Sequence, residues 1–349
     1  MRIVNAASAF PANSYKQETI TGALKQVWTG KLRHTELLDK VHGNCGVDRR
    51  HLSLPLEKYR QIETWGDANR IWIDTAQRLG ASAICKAITP LGITPQEIDA
   101  LYFVTVTGVA SPSIDARLVN RMKLSPGIKR VPIFGLGCVA GAAGLARAAD
   151  YIRAFPDQIA VLLSVELCSL TWQADDFSNA NVIATGLFGD GAAAVVVAGS
   201  QTELPGPEIV ATRSVFYPGT EDVMGWDISE QGFRIVLSPD VPLVIQKNLR
   251  TDVDGFLAGH GLRREDISSW IIHTGGPRVL DAVAESLELP EQSLAASWEC
   301  LRQVGNLSSA SVLVVLEDFL ANRRGEPGSY SVLAAMGPGF CAELLLLRW

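Results

Sequence analysis

The chain repeats itself. Residues 97–108, EIDALYFVTVTG, and residues 266–276, DISSWIIHTGG, share an acidic residue followed by isoleucine, an apolar strand-like run and a Thr-Gly exit. GLGCVAGAAG begins at residue 135, with its cysteine 34 residues after Val104, and QVGNLSSASV begins at residue 303, with its asparagine 33 residues after His273. Each is a Gly-X turn that opens a helix of small residues, followed by a loop carrying Pro-Asp or Pro-Gly and a further apolar run. A duplication of this kind restricts the fold more than composition does. Both copies must adopt one topology and bury their apolar faces, and packing the copies about a pseudo-twofold axis does both.

The runs ALYFVTVTG, VPIFGLG, QIAVLLSVE, GAAAVVVAG, SWIIHTGG and SYSVLAAMG are short, apolar and separated by amphipathic or small-residue helical patterns, which predicts an α/β fold. A length of 349 residues exceeds what one hydrophobic core usually serves. The Gly/Pro/Ser-rich GSQTELPGPE (199–208) is the natural break, giving halves 1–203 and 204–349. A net charge of −6 excludes a general nucleic-acid binder but leaves room for a small basic patch holding one anionic ligand. No apolar run approaches the roughly 20 residues of a membrane span, and the N-terminus reads as a strand rather than a signal peptide, so a cytoplasmic protein is expected. The six cysteines, at 45, 85, 138, 168, 300 and 341, form no CxxC pair. Neither a zinc site nor a disulfide framework follows, and reduced thiols are expected.

The duplication sets Cys138 and Asn306 at equivalent helix starts and His273 on a strand-end turn. If the copies pack about an axis, the two helix starts meet and the three side chains share one pocket. A cysteine at a helix N-terminus beside an imidazole is expected to be substantially ionised. A neutral amide and an imidazole can donate hydrogen bonds to a developing oxyanion. Singly, each residue has an ordinary explanation: a packed thiol, a satisfied interior histidine, a helix cap. Three such types at matching turns favour a catalytic site.

On these residues the chain resembles the type III polyketide synthases, the chalcone synthase-like branch of the thiolase fold. GLGCVAGAAGLARAADYI is similar to that family's nucleophile turn, IIHTGGPRVL to its histidine motif and VGNLSSASVL to its asparagine motif. GLFGDGAAAVVV and AAMGPGF match two further segments, in the family's order. The resemblance implies a thiolase-like five-layered αβαβα fold with internal duplication. It implies that Cys138 takes the acyl group of an acyl-CoA starter, while His273 and Asn306 stabilise the enolate formed as malonyl-CoA loses CO2. The cycle then repeats before cyclisation, in a homodimer, with no metal and no redox cofactor. Phe188 matches an aromatic gatekeeper, and Ile235 stands where chalcone synthases carry a second, phenylalanine gate.

For the cavity wall the resemblance points to Val106, Thr107, Cys168 and Thr171, with Gly337, Pro338 and Gly339 forming the Gly-Pro-Gly loop. Ser111 stands where plant enzymes place a methionine that reaches across the dimer. Arg49, Arg50 and Arg278 are candidates for the CoA phosphates, which ask for guanidinium or ammonium partners. The small and apolar substitutions resemble bacterial members that accept long acyl chains. They imply a medium- or long-chain fatty acyl starter and an alkylpyrone or alkylresorcinol product. Ketoacyl synthase III enzymes share the trio, but their histidine turn continues Gln-Ala-Asn, where this chain has Thr274, Gly275, Gly276 and Pro277. Hydroxymethylglutaryl-CoA synthases add a glutamate; Glu166 is present, but in SVEL it matches a strand-end residue of the polyketide family, and a non-catalytic acyl-binding relative is the remaining alternative.

Overall fold

Side chains along the apolar runs alternate between two burial environments, as the period of two in a strand requires. In the computed structural model, which describes residues 1–31 and 36–349, the first half contains seven strands. They are β1 (Arg2–Ala9), β2 (Asn13–Lys16), β3 (Arg49–Leu52), β4 (Ala100–Thr105), β5 (Lys129–Phe134), β6 (Ile159–Leu167) and β7 (Asp190–Ala198). The second half adds β8 (Glu208–Phe216), β9 (Met224–Ser229), β10 (Gly232–Leu237), β11 (Ile267–Ile272), β12 (Tyr330–Gly337) and β13 (Cys341–Arg348).

Nine of these run in the order β11-β12-β13-β8-β1-β7-β6-β4-β5. Outward from the centre, β1-β7-β6-β4 and β8-β13-β12-β11 have the same order and the same strand senses, antiparallel, antiparallel, then parallel. The halves meet where β1 and β8 pair through Arg2 and Glu208. The repeat seen in the sequence is therefore a repeat of topology. It is incomplete at one edge: β5 pairs outside β4, whereas the corresponding stretch of the second half forms the helix Ala295–Val304.

Tyr102, Val104, Leu162, Val195 and Val197 from one half, and Ile271, Leu333, Ala335, Leu345 and Leu347 from the other, face a shared central core. That core holds the helices Ala140–Ala154 and Ser311–Asn322. The intervening residues face outward. Leu101, Phe103, Val161 and Leu163 pack on the helix Trp65–Ile88, which a Thr64–Asp67 capping box begins. Trp270, Ile272, Val332 and Leu344 pack beneath the helices Val241–Ala258 and Pro277–Leu287. Helix, sheet, helix, sheet, helix is the five-layered thiolase-like arrangement.

The central helix is built from Ala and Gly because it is gripped on all sides. A Cβ on Gly141 would lie 2.2 Å from the Ser309 carbonyl oxygen, and one on Gly144 would lie 2.6 Å from Leu162 Cδ1. Gly141 and Ser309 each stand three residues beyond the matching turn residues, Cys138 and Asn306. The two central helices thus meet at equivalent positions, as a pseudo-twofold axis demands.

Candidate active site

Cys138 lies in the turn Gly137–Val139 between β5 and the central helix. Gly137 has φ +52°, a left-handed conformation that glycine adopts without penalty. The Gly-Pro-Gly loop closes on this turn from the second half. A Cβ on Gly137 would lie 2.5 Å from Pro338 Cδ, and one on Gly337 would lie 2.6 Å from the Val139 nitrogen. No side chain fits at either position without moving backbone, so the loop fixes the height of the thiol.

His273 follows the last residue of β11 and is tied down by its backbone N–H donating to Ala334 O at 3.0 Å. Asn306 is held through both ends of its peptide: its N–H donates to Leu187 O and its carbonyl accepts from Gly189 N, each at 2.9 Å. Its side-chain oxygen accepts from Ser308 N at 2.8 Å, which turns the NH2 group towards the histidine turn, 3.3 Å from Gly275 O. Cys138, His273 and Asn306 line one cavity of about 30 Å³, together with Phe188, Met224, Leu237, Val279, Met336 and Phe340. That is room for about one water molecule.

Burial acts on both groups. It pushes the Cys138 thiol up to about 12, against the Ser308 hydroxyl at 3.6 Å, and pushes His273 down to about 4. Burial by itself favours a neutral thiol and a neutral imidazole, and it opposes the helix dipole, which favours the expected thiolate. Burial at least cannot hinder the neutral His273 and Asn306 as hydrogen-bond donors, which is the form oxyanion stabilisation needs.

Residues 2–201 match the N-terminal domain, and residues 208–349 the C-terminal domain, of chalcone and stilbene synthases. The chain belongs to this family, the type III polyketide synthases. It is a malonyl-CoA-condensing acyltransferase. It is 49% identical over 345 residues to a 1,3,6,8-tetrahydroxynaphthalene synthase of Streptomyces peucetius subsp. caesius, covering 98% of this chain and 91% of that protein. A putative chalcone synthase of Bacillus subtilis (strain 168) is 36% identical, with 99% of this chain and 98% of that protein covered. The crystal structure of the 1,3,6,8-tetrahydroxynaphthalene synthase of Streptomyces coelicolor A3(2) superposes with a TM-score of 0.95 at 30% identity, covering 100% of this chain and 99% of that one. The expected likeness to alkylpyrone and alkylresorcinol synthases gives way to relatives named for a naphthalene product.

Beyond Phe188, this polyketide synthase has a second, larger cavity of about 480 Å³. Cys168, Thr171, Phe188 and Ile235 line it, and Phe188 belongs to the walls of both chambers. A gatekeeper has to occupy that position. Sequence reasoning missed Trp226 and Met224, which sit on the β9–β10 hairpin opposite Ile235 and Leu237. Trp226 and Ile235 line the large chamber while Met224 and Leu237 line the small one, so one face of the hairpin roofs both. The alternation of MGWDIS was the available signal.

Other expected positions fall elsewhere. Val106 and Thr107 lie behind the wall rather than on it: the Val106 N–H and the Thr107 hydroxyl donate to Glu166 Oε2 at 3.1 and 2.9 Å. Glu166, whose carboxyl burial pushes up to about 7, also accepts from Ser309 and lines neither chamber. It ties the two copies together and is not placed as an acid/base beside Cys138. Arg50 is a further correction. Alternation along β3 exposes Arg49 but buries Arg50, whose guanidinium donates to Gln17 Oε1 at 3.1 Å and to the Phe188 and Thr185 carbonyls, each at 2.6 Å. It braces the Phe188 backbone instead of meeting a phosphate. Arg49, Arg278 and Ser111 are exposed, and Arg278 opens the helix that follows His273. Among the described residues no three His, Cys, Asp or Glu side chains gather as a metal site, and no helix is long and apolar enough to cross a membrane.

Proposed function

We propose that the chain builds an aromatic polyketide of the tetrahydroxynaphthalene type, with malonyl-CoA as both starter and extender. The observation that carries the chemistry is the shared cavity of Cys138, His273 and Asn306, with Phe188 standing between it and the larger chamber. In this reading Cys138 gives up its proton as it attacks the thioester carbonyl, forming an acyl-enzyme. His273 and Asn306 then donate to the malonyl thioester oxygen as the C–C bond to CO2 breaks, and the resulting enolate attacks the Cys138 thioester. The identity to a protein named for 1,3,6,8-tetrahydroxynaphthalene supports the product class. A ten-carbon nucleus oxygenated at alternate positions is five two-carbon units, each supplied by one malonyl group with loss of CO2. A chamber of about 480 Å³ lies in the usual small-molecule range and carries polar groups of Tyr59, Cys168, Ser169 and Thr171 on its wall.

A medium- or long-chain acyl starter is the second reading, favoured by Ile20, Leu24, Val27, Leu52 and Ile235 on the same wall. Each buried methylene contributes ~0.8 kcal/mol, so an apolar chamber rewards chain length until it is full. The two readings part on product analysis with malonyl-CoA alone and with acyl-CoAs of graded length. The first predicts an aromatic polyol from malonyl-CoA alone. Product that forms only with a fatty acyl-CoA, with kcat/KM rising from acetyl to octanoyl and beyond, would establish the second.

The homodimer is a proposal too. Strand β5 ends the sheet, its Phe134 is exposed at 46%, and Val109 and Ser111, which follow the adjacent strand β4, are exposed too. Sedimentation should give twice the chain mass of 37.6 kDa, and a monomer at micromolar concentration would refute it.

A further inference from the structure

A buried carboxylate reaches the large chamber through two hydroxyls. Asp190, at the start of β7, is fully buried. It accepts from the backbone N–H and hydroxyl of Ser53 at 2.7 and 2.5 Å, and from the N–H and hydroxyl of Ser169 at 2.7 and 2.5 Å. The Ser169 oxygen lies 2.5 Å from the Tyr59 hydroxyl, and both Ser169 and Tyr59 line the chamber. The directions follow from the donor count. An ionised carboxylate only accepts, so the single Ser169 proton points to Asp190. The Tyr59 proton must then point to Ser169. Leu54 N–H donates to the Tyr59 oxygen at 3.3 Å, which leaves that oxygen one free lone pair.

The geometry points to Tyr59, Ser169 and Asp190 as a proton relay that serves ring closure of the poly-β-keto chain. The inference rests on the large chamber being where that chain is held. A methylene between two carbonyls gives its proton to the Tyr59 oxygen as the Tyr59 proton moves to Ser169 and the Ser169 proton to Asp190. The C–H electron pair becomes an enolate, which attacks a carbonyl further along the chain and forms the ring C–C bond. The new alkoxide recovers a proton by the reverse path, so Asp190 ends ionised and no oxidant or reductant is consumed. Buried among apolar groups, the Asp190 carboxyl is shifted upward, which suits a transient proton acceptor. Lactone formation by an enol oxygen does not need this base, so loss of the relay redirects the chain instead of stopping its growth.

The test is the ratio of aromatic product to pyrone lactone in Tyr59→Phe and Ser169→Ala, made in the full-length enzyme and supplied with malonyl-CoA. We expect the ratio to fall at least tenfold in both. A purely structural network predicts that aromatic and lactone products fall together with the ratio unchanged, and that outcome overturns the relay even if the variants are less stable. A tenfold fall in Tyr59→Phe with a parental ratio in Ser169→Ala also overturns it, since Tyr59 would then act alone. If the parent enzyme makes no aromatic product from any starter, the proposed function fails, a result distinct from an aromatic parent whose variants keep its ratio.

Discussion

The two copies present the same turn to the axis and put different chemistry on it. In the first copy the turn holds Cys138 at the N-terminus of a 15-residue helix whose dipole favours negative charge. In the second it holds Asn306, whose side-chain oxygen is spent on Ser308 N so that its NH2 group faces the histidine turn, with one hydrogen on Gly275 O and a second left to donate. His273 sits on the second copy's strand end, while β4 of the first copy leads to Val106 and Thr107, which only brace Glu166. The duplication repeats a scaffold, and in the proposed mechanism it divides the work: one copy would carry the acyl group, the other would stabilise negative charge.

The largest expected effect comes from breaking the contact between the copies. Gly141→Ala puts a methyl 2.2 Å from the Ser309 carbonyl oxygen and should cost about 3 kcal/mol or more in denaturant unfolding, since backbone has to shift. The equivalent residue behaves differently. Ser309→Ala removes the donor to Glu166 and the acceptor of the Ser164 hydroxyl without a clash, and should cost about 1–3 kcal/mol. Equal effects at the two positions would mean that the close approach is not where the structure puts it.

A smaller effect separates the copies by pH. His42 and His273 are both pushed by burial to about 4, so between about pH 6.5 and 4 the unfolded chain binds protons that the fold refuses, and stability falls with acidification. Glu166, raised to about 7, works the other way: its proton is held by the fold but lost by the unfolded chain above about pH 4.5. Asp190, Asp281 and Glu343 are raised in the same sense as Glu166, and the two histidines, each on the order of 1–2 kcal/mol, are expected to leave a net loss of stability between pH 7 and pH 5. Unfolding free energies at the two pH values check the sign. A gain in stability at pH 5 would show that the buried carboxyls outweigh both histidines.

The strands were legible because parallel strands buried on both faces read as continuous apolar runs. The trio was legible because the repeat aligned Cys138 with Asn306. What stayed hidden depends on direction and distance. Arg49 and Arg50 are identical in charge, and only the alternation of β3 says that one of them turns inward. Asp190 meets Ser53 across 137 residues, which no local pattern reports. Trp226 escaped notice because the hairpin carrying it has an exposed outer face and mixed composition. The burial that raises the Cys138 thiol is likewise invisible in the helix start that suggested a thiolate.

The division of work between the copies is tested most directly by intact-mass spectrometry and CO2 release on Asn306→Ala, with Cys138→Ala as reference. The account predicts that Asn306→Ala still forms an acyl adduct, that Cys138→Ala forms none, and that decarboxylation of malonyl-CoA by Asn306→Ala falls by roughly 10²–10³-fold, the usual cost of one oxyanion donor. Parental CO2 release from Asn306→Ala, or an acyl adduct on Cys138→Ala, would contradict it.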